Sequence, residues 1–130
     1  MKIAIVGSSK LTEKEKQLAR DAILKIIEEH GQDHIYISGG ARGVDTEVHT
    51  MAQNNDVEII EHHPSSNNWD GFKMRNICIA NDCDILYCIT TPMKYTPCYH
   101  CDDPTHEKTA GCWTMNYAKK LKKETHLVIV

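Results

Sequence analysis

Five short apolar runs, separated by stretches of helical periodicity, constrain this chain more than any other feature. The runs are residues 2–6 (KIAIV), 34–38 (HIYIS), 57–61 (VEIIE), 84–90 (DILYCIT) and 126–130 (HLVIV). Their length and β-branched content read as strands. After the first run, Thr12 and Glu15 form a T-x-x-E capping box. The rows Leu18/Ala22/Ile26 and Ala19/Ile23/Ile27 then supply an apolar helix face, and Gly31 a stop. Val44, Val48, Met51 and Ala52 mark a second helix, and a weaker third is expected over about 72–81. A last helix opens near Gly111 and carries Trp113, Tyr117, Ala118 and Leu121 on one face. The segment 91–108 follows neither period and is expected to be an irregular loop.

Strands that alternate with helices and are mostly apolar throughout require a parallel sheet covered on both faces. The expected fold class is α/β, a Rossmann-like, doubly wound, mainly parallel five-stranded sheet of order 3-2-1-4-5. Residues 1–130 fit a single domain of 14.8 kDa with no repeat or linker. Ligands of such sheets sit at the carboxyl ends of the strands, where the strand order reverses. Attention therefore falls on the loops after the first, second and fourth strands and on the start of the last helix.

Composition narrows the function classes. Lys and Arg number 15 against 18 Asp and Glu, and the net charge is −3. A broad, unspecific nucleic-acid surface is therefore disfavoured, while a local basic pocket is not. The opening MKIAIVGSS is too short in its apolar run for a signal peptide or a membrane span, so a cytoplasmic protein with no membrane partner is expected. In a reducing compartment the six cysteines are thiols or metal ligands rather than disulfides.

The segment ISGGARGVDTEVH, residues 37–49, concentrates glycine between a strand end and a helix start. Gly39, Gly40 and Gly43 permit positive φ and close backbone approach, and the free N–H groups of a first helical turn favour an anion. Arg42 adds a permanently charged fork suited to phosphate. Asp45 is placed to cap the helix or to accept hydrogen bonds from a ribose or base, capping being the simpler role. The loop GSSK repeats the logic with Gly7, Ser8, Ser9 and Lys10.

Four segments, VGSS, SGGARGVDTEVH, WDGFKMRN and AGCWTMNYAKKL, together resemble the SLOG superfamily, which groups DNA-processing proteins of the DprA/Smf type with the LOG phosphoribohydrolases. The similarity spans nearly the whole chain. Its most specific part, Ser38 to His49, is similar to S-G-x-A-R-G-[IV]-D-x-x-A-H, with Val48 in place of the alanine. The G-S-R usual after the first strand stands here as Gly7-Ser8-Ser9, which leaves Lys10 as the nearby cation. The resemblance implies a Rossmann-like domain that binds a nucleotide or nucleotide-derived phosphorylated ligand. It implies a pocket formed by Gly7, Ser8, Ser9, Ser38, Gly39, Gly40, Arg42, Gly43, Asp45, Arg75, Asn76 and Gly111, with Arg75 projecting toward the two glycine loops. Trp69 either stacks on a base or packs over a loop, and His49 is expected to be a packed neighbour of the pocket.

LOG hydrolases carry a glutamate on the last helix, and Met115 occupies that place here. Glycosidic chemistry needs a carboxylate near the anomeric carbon. Hydrolysis of the LOG type is thus unsupported, and Asp45 or Glu47 would have to act by another geometry. Nucleotide binding or sensing is the leading expectation. A DprA-like single-stranded DNA-binding module is the alternative, with the net charge and the lack of an aromatic-basic stripe against it. A zinc-braced interaction domain is a third, and homo-oligomerisation is left open.

The zinc expectation comes from spacing. Cys98, Cys101, His106 and Cys112 fall as C-x2-C-x4-H-x5-C, one residue longer in the last gap than the knuckle pattern C-x2-C-x4-H-x4-C. Such a set offers a structural zinc four ligands that would brace the irregular loop, with His100 as the other candidate nitrogen ligand. Cys78, Cys83 and Cys88 are expected to be small core residues.

Overall fold

The computed structural model describes residues 1–101 and 104–130; positions 102 and 103, in the predicted loop 91–108, lie outside the described residues. Its elements run β1(Lys2–Gly7), α1(Glu13–His30), β2(Ile35–Ser38), α2(Val44–Asn54), β3(Glu58–Glu61), α3(Trp69–Asp82), β4(Ile85–Thr90), α4(Ala110–Lys120) and β5(Glu124–Ile129). All neighbouring strands pair in parallel, in the order β3-β2-β1-β4-β5. The fold is α/β, as expected, and the order reverses between β1 and β4.

Strand alternation divides the core in two. Ile3 and Ile5 face one side with Ala19, Ile23, Ile27, Val44 and Val48 of α1 and α2. Ala4 and Val6 face the other with Ile79, Ala80, Met115 and Ala118 of α3 and α4. Full burial of one such aliphatic side chain stabilises by about 1.5–3 kcal/mol, so the two clusters hold the sheet between helix layers. No helix among the described residues is long and apolar enough to cross a membrane.

Local signals explain most element ends. Thr12 Oγ1 accepts from the N–H of Glu15 at 3.2 Å, and Glu15 accepts from the N–H of Thr12 at 2.9 Å. Gly31 ends α1 with φ 89°, its N–H donating to Ile27. Of the two predicted rows, Ala19/Ile23/Ile27 is buried, whereas Leu18 remains 39% exposed.

Three expectations need correction. Helix α3 starts at Trp69 rather than near Phe72, because Asn68 accepts from the N–H of Gly71 at 3.0 Å and acts as the cap. Helix α4 buries Gly111, Cys112, Thr114, Met115 and Ala118. Trp113 and Tyr117 stack beside that face at 5.6 Å, and Leu121 lies beyond the helix, 37% exposed. The segment 91–108 is not wholly irregular: Pro92 pairs with His106 and Pro97 with Glu107 in antiparallel bridges.

Candidate functional site

A cleft of about 570 Å³ opens at the carboxyl ends of β1 and β2. Its floor depends on glycines that let backbones touch. A Cβ on Gly7 would overlap the carbonyl oxygen of Ile89, and one on Gly111 would lie 2.8 Å from the Gly7 Cα. The start of α4 is thereby set against the end of β1. Gly43 holds φ 73° at the N-cap of α2, where a Cβ would overlap the Ser8 carbonyl oxygen; that oxygen accepts from the N–H of Val44 at 2.9 Å. The two glycine loops are locked to each other by main chain.

The cleft walls gather charge from distant parts of the chain. Lys10, Arg42, Arg75, Lys94 and Lys108 line it, against Asp45 and Glu107 as the acidic residues. Trp69, Phe72 and Tyr95 line it too, with Trp69 49% and Tyr95 86% exposed. These cations and rings come from separated positions in the sequence and share one cleft lining. Thr109 caps α4 by accepting from the N–H of Gly111 at 2.8 Å, and the first turn of that helix also faces the cleft.

Asp45, Arg75 and Asn76 form its polar base. Asp45 lies inside α2, so Gly43 and not Asp45 is the N-cap; its Oδ2 accepts instead from the N–H of Ala41 at 3.1 Å. Burial drives its carboxyl up to about 6, against the pull of the Ala41 N–H and the Arg75 charge. Arg75 donates through Nη1 to the carbonyl oxygen of Gly39 at 2.6 Å and through Nε to Asn76 Oδ1 at 2.8 Å. Its own value is lowered by burial, with Asp45 opposing.

Of the sequence-predicted residues, Gly7, Ser8, Ser9, Arg42, Asp45, Arg75, Asn76 and Gly111 line one cleft. Ser38, Gly39, Gly40 and Gly43 do not line it. Ser38 is fully buried, and its Oγ accepts from the N–H of Gly40 at 3.4 Å. Gly39 packs against Arg75 and Asp45, and Gly40, with φ 65°, faces Glu61 and His63. His49 pairs with Glu61 at 2.5 Å. Trp69 meets Trp113 edge-on at 5.4 Å. Met115 is 2% exposed in the core, and Glu47 is held by Arg20 at 2.5 Å, away from the cleft lining.

The predicted cysteine-histidine set converges as well. One ligand atom each from Cys98, Cys101, His106 and Cys112 lies within 4.8 Å of all the others, an arrangement that could hold a metal ion. His106, fully buried, turns Nε2 toward Cys112 Sγ at 3.7 Å, so His106 and not His100 completes the set. A tetrahedral ion with bonds of about 2.3 Å to sulfur separates its ligand atoms by roughly 3.8 Å, which these distances approach. Hydrogen bonding from Cys88, whose sulfur lies 3.9 Å away, helps hold the Cys112 thiol low, at about 5, while burial pushes Cys101 up to about 12. All six cysteines are free; Cys83 and Cys88 are core residues, but Cys78 is exposed.

Residues 1–68 match the family described as DNA recombination-mediator protein A. The chain belongs to that family. Its fold is shared with DNA processing protein A from Streptococcus pneumoniae, at a TM-score of 0.70 and 18% identity over 97% of this chain and 49% of that one. It is shared too with DNA processing protein A from Helicobacter pylori, solved for its single-stranded DNA binding mode, at a TM-score of 0.60 and 17% identity over 98% of this chain and 64% of that one. The chain thus spans about half the length of the first and under two thirds of the second. No curated protein matches it. The matched family segment ends before α3, so the glycine loops belong to it, whereas Trp69, Arg75 and the cysteine-histidine set lie beyond it.

Proposed function

We propose that the cleft binds single-stranded DNA, gripping its phosphates with Arg42, Lys10 and Lys108 and stacking a base on Trp69. One observation carries this reading: five cationic and three aromatic side chains converge on a cleft that also receives the first turn of α4. Cations supply sequence-independent phosphate affinity, and exposed rings stack on any base. The net charge of −3 averages over the whole surface and does not describe this local balance. Membership of the DNA recombination-mediator protein A family and the binding mode named for the Helicobacter pylori protein support the same reading.

The cleft volume of about 570 Å³ lies within the range of small-molecule sites, which suits a single nucleotide unit. A mononucleotide ligand is therefore the second reading. Binding isotherms for a labelled oligothymidylate and for thymidine monophosphate separate the two. Much tighter binding of the oligonucleotide supports a strand ligand; preference for the monophosphate supports a nucleotide pocket.

For the Cys98, Cys101, His106 and Cys112 set we read a structural zinc. Three sulfurs and one imidazole suit a four-coordinate closed site. Metal analysis of protein prepared without chelator tests this, with about one zinc per chain expected.

A further inference from the structure

The cysteine-histidine set and the cleft share one stretch of chain. Cleft residues Lys94, Tyr95 and Thr96 precede Cys98, and Glu107, Lys108 and Thr109 separate His106 from Cys112. The stretch folds back on itself: the N–H of Cys98 donates to the carbonyl of His106 at 3.1 Å, and that of Lys108 to Thr96 at 2.9 Å. The Glu107 carboxylate collects the N–H groups of Lys94, Tyr95 and Thr96 at 2.8–3.1 Å. Lys94 Nζ reaches Glu15 of α1 at 2.5 Å. Main-chain bonds from Met93 to Thr105 and from Glu107 to Thr91 complete the ladder, which lies outside the five-stranded sheet, and a two-stranded hairpin gains stability only from what it packs against. The four ligand atoms lie where this ladder joins the first turn of α4.

We propose that a thiophilic divalent cation, zinc foremost, bound by Cys98, Cys101, His106 and Cys112 holds the wall of the cleft in place, so that metal loading controls ligand binding. The inference rests on the reading of the cleft as a DNA site. The ion ties both arms of the ladder to α4, and Lys94, Tyr95 and Lys108 then face the cleft together. Without it the wall opens while the five-stranded sheet keeps its core against α1 and α2, which contains none of the four ligand residues. Metal binding and local order are one equilibrium in such a site.

The test uses the full chain, zinc-loaded and stripped by chelator, with two readouts: affinity for a labelled oligothymidylate and amide hydrogen exchange. Stripping is expected to weaken the oligonucleotide by about tenfold or more, comparable to losing one charge-assisted contact. Amides of residues 94–101 and 104–108 should lose far more protection than those of β1 and β4, and added zinc should restore both signals. Cys101→Ser should reproduce the stripped protein, and Cys78→Ser should not. Equal affinity with and without zinc overturns the proposal, as does loop exchange that ignores zinc, or a loss of sheet protection as large as the loop's. If the loaded protein binds no oligonucleotide, the DNA reading fails; loop protection that still follows zinc upholds the metal's hold on the wall.

Discussion

Arg75 donates a 2.6 Å hydrogen bond from Nη1 to the carbonyl oxygen of Gly39, clamping α3 to the end of β2 beneath the cleft. The guanidinium is half-buried there, and it and the Asp45 carboxylate together fill the space where a side chain of Gly39 would stand. Arg75 is therefore a brace for the loop as well as a cation of the cleft.

Arg75→Ala should accordingly cost stability as well as ligand affinity. Removing a charged donor from a buried carbonyl costs about 1.5–3 kcal/mol. Urea denaturation measures it, and an unchanged midpoint would show that the clamp contributes nothing.

Asp45 gives a pH signature. Its folded value of about 6 lies above its ordinary 3.8, so the native state holds the proton more tightly between those values. The group's contribution therefore falls as pH rises through this window and levels off above it. Asp45→Asn keeps an acceptor for Ala41 and removes the charge, so its stability advantage over the parent should grow from about pH 4 to about pH 6, reaching on the order of 3 kcal/mol. Melting temperatures of both proteins at several pH values test this, and a constant difference across the window would contradict it.

Much of this architecture was legible in the sequence because it rests on local rules. The capping box at Thr12 and Glu15, the stop at Gly31 and the apolar runs determine α1 and the strands, and right-handed crossovers leave few orders for the sheet. The cysteine-histidine spacing was readable too, since two cysteines with two residues between them can bring both sulfurs together, and here they converge with His106 and Cys112. The cleft was less so. Lys10 and Trp69 stood in recognisable segments, but Lys94, Tyr95 and Lys108 carry no motif and join them only in the folded cleft. The start of α3 was hidden because Asn68 caps it from within a polar loop. The approach of Arg75 to the glycine loops was expected, but that its guanidinium binds the Gly39 carbonyl, leaving Gly39 out of the cleft lining, follows only from the fold.

Trp69 separates stacking from charge. Base stacking on an aromatic contributes about 1–3 kcal/mol, so Trp69→Ala should weaken an oligonucleotide by roughly ten- to a hundredfold. It should leave the salt dependence of binding as it is in the parent. Anisotropy titrations at two or more salt concentrations read both quantities, and unchanged affinity would place Trp69 as packing for Trp113 alone.

Cys98→Ser should lower zinc content and thermal stability together, because binding of a structural metal is coupled to folding. Cys98 is 4% exposed and one of the four convergent side chains that could hold a metal ion. Metal analysis alongside thermal melts checks the pair. Full zinc content in the variant would show that Cys98 is not a ligand.

The most direct test of the proposal that the cleft binds DNA is the salt dependence of oligothymidylate binding by the parent and by Arg42→Ala. Arg42 is exposed on the cleft wall beside the glycine loops. The account predicts affinity that falls steeply with salt. It also predicts a variant about ten- to a hundredfold weaker at low salt, with its slope reduced by about 0.7, the release expected for one phosphate contact on a single strand. A folded Arg42→Ala protein with the parent's affinity and slope, or a parent that binds no oligonucleotide at any salt, would contradict it.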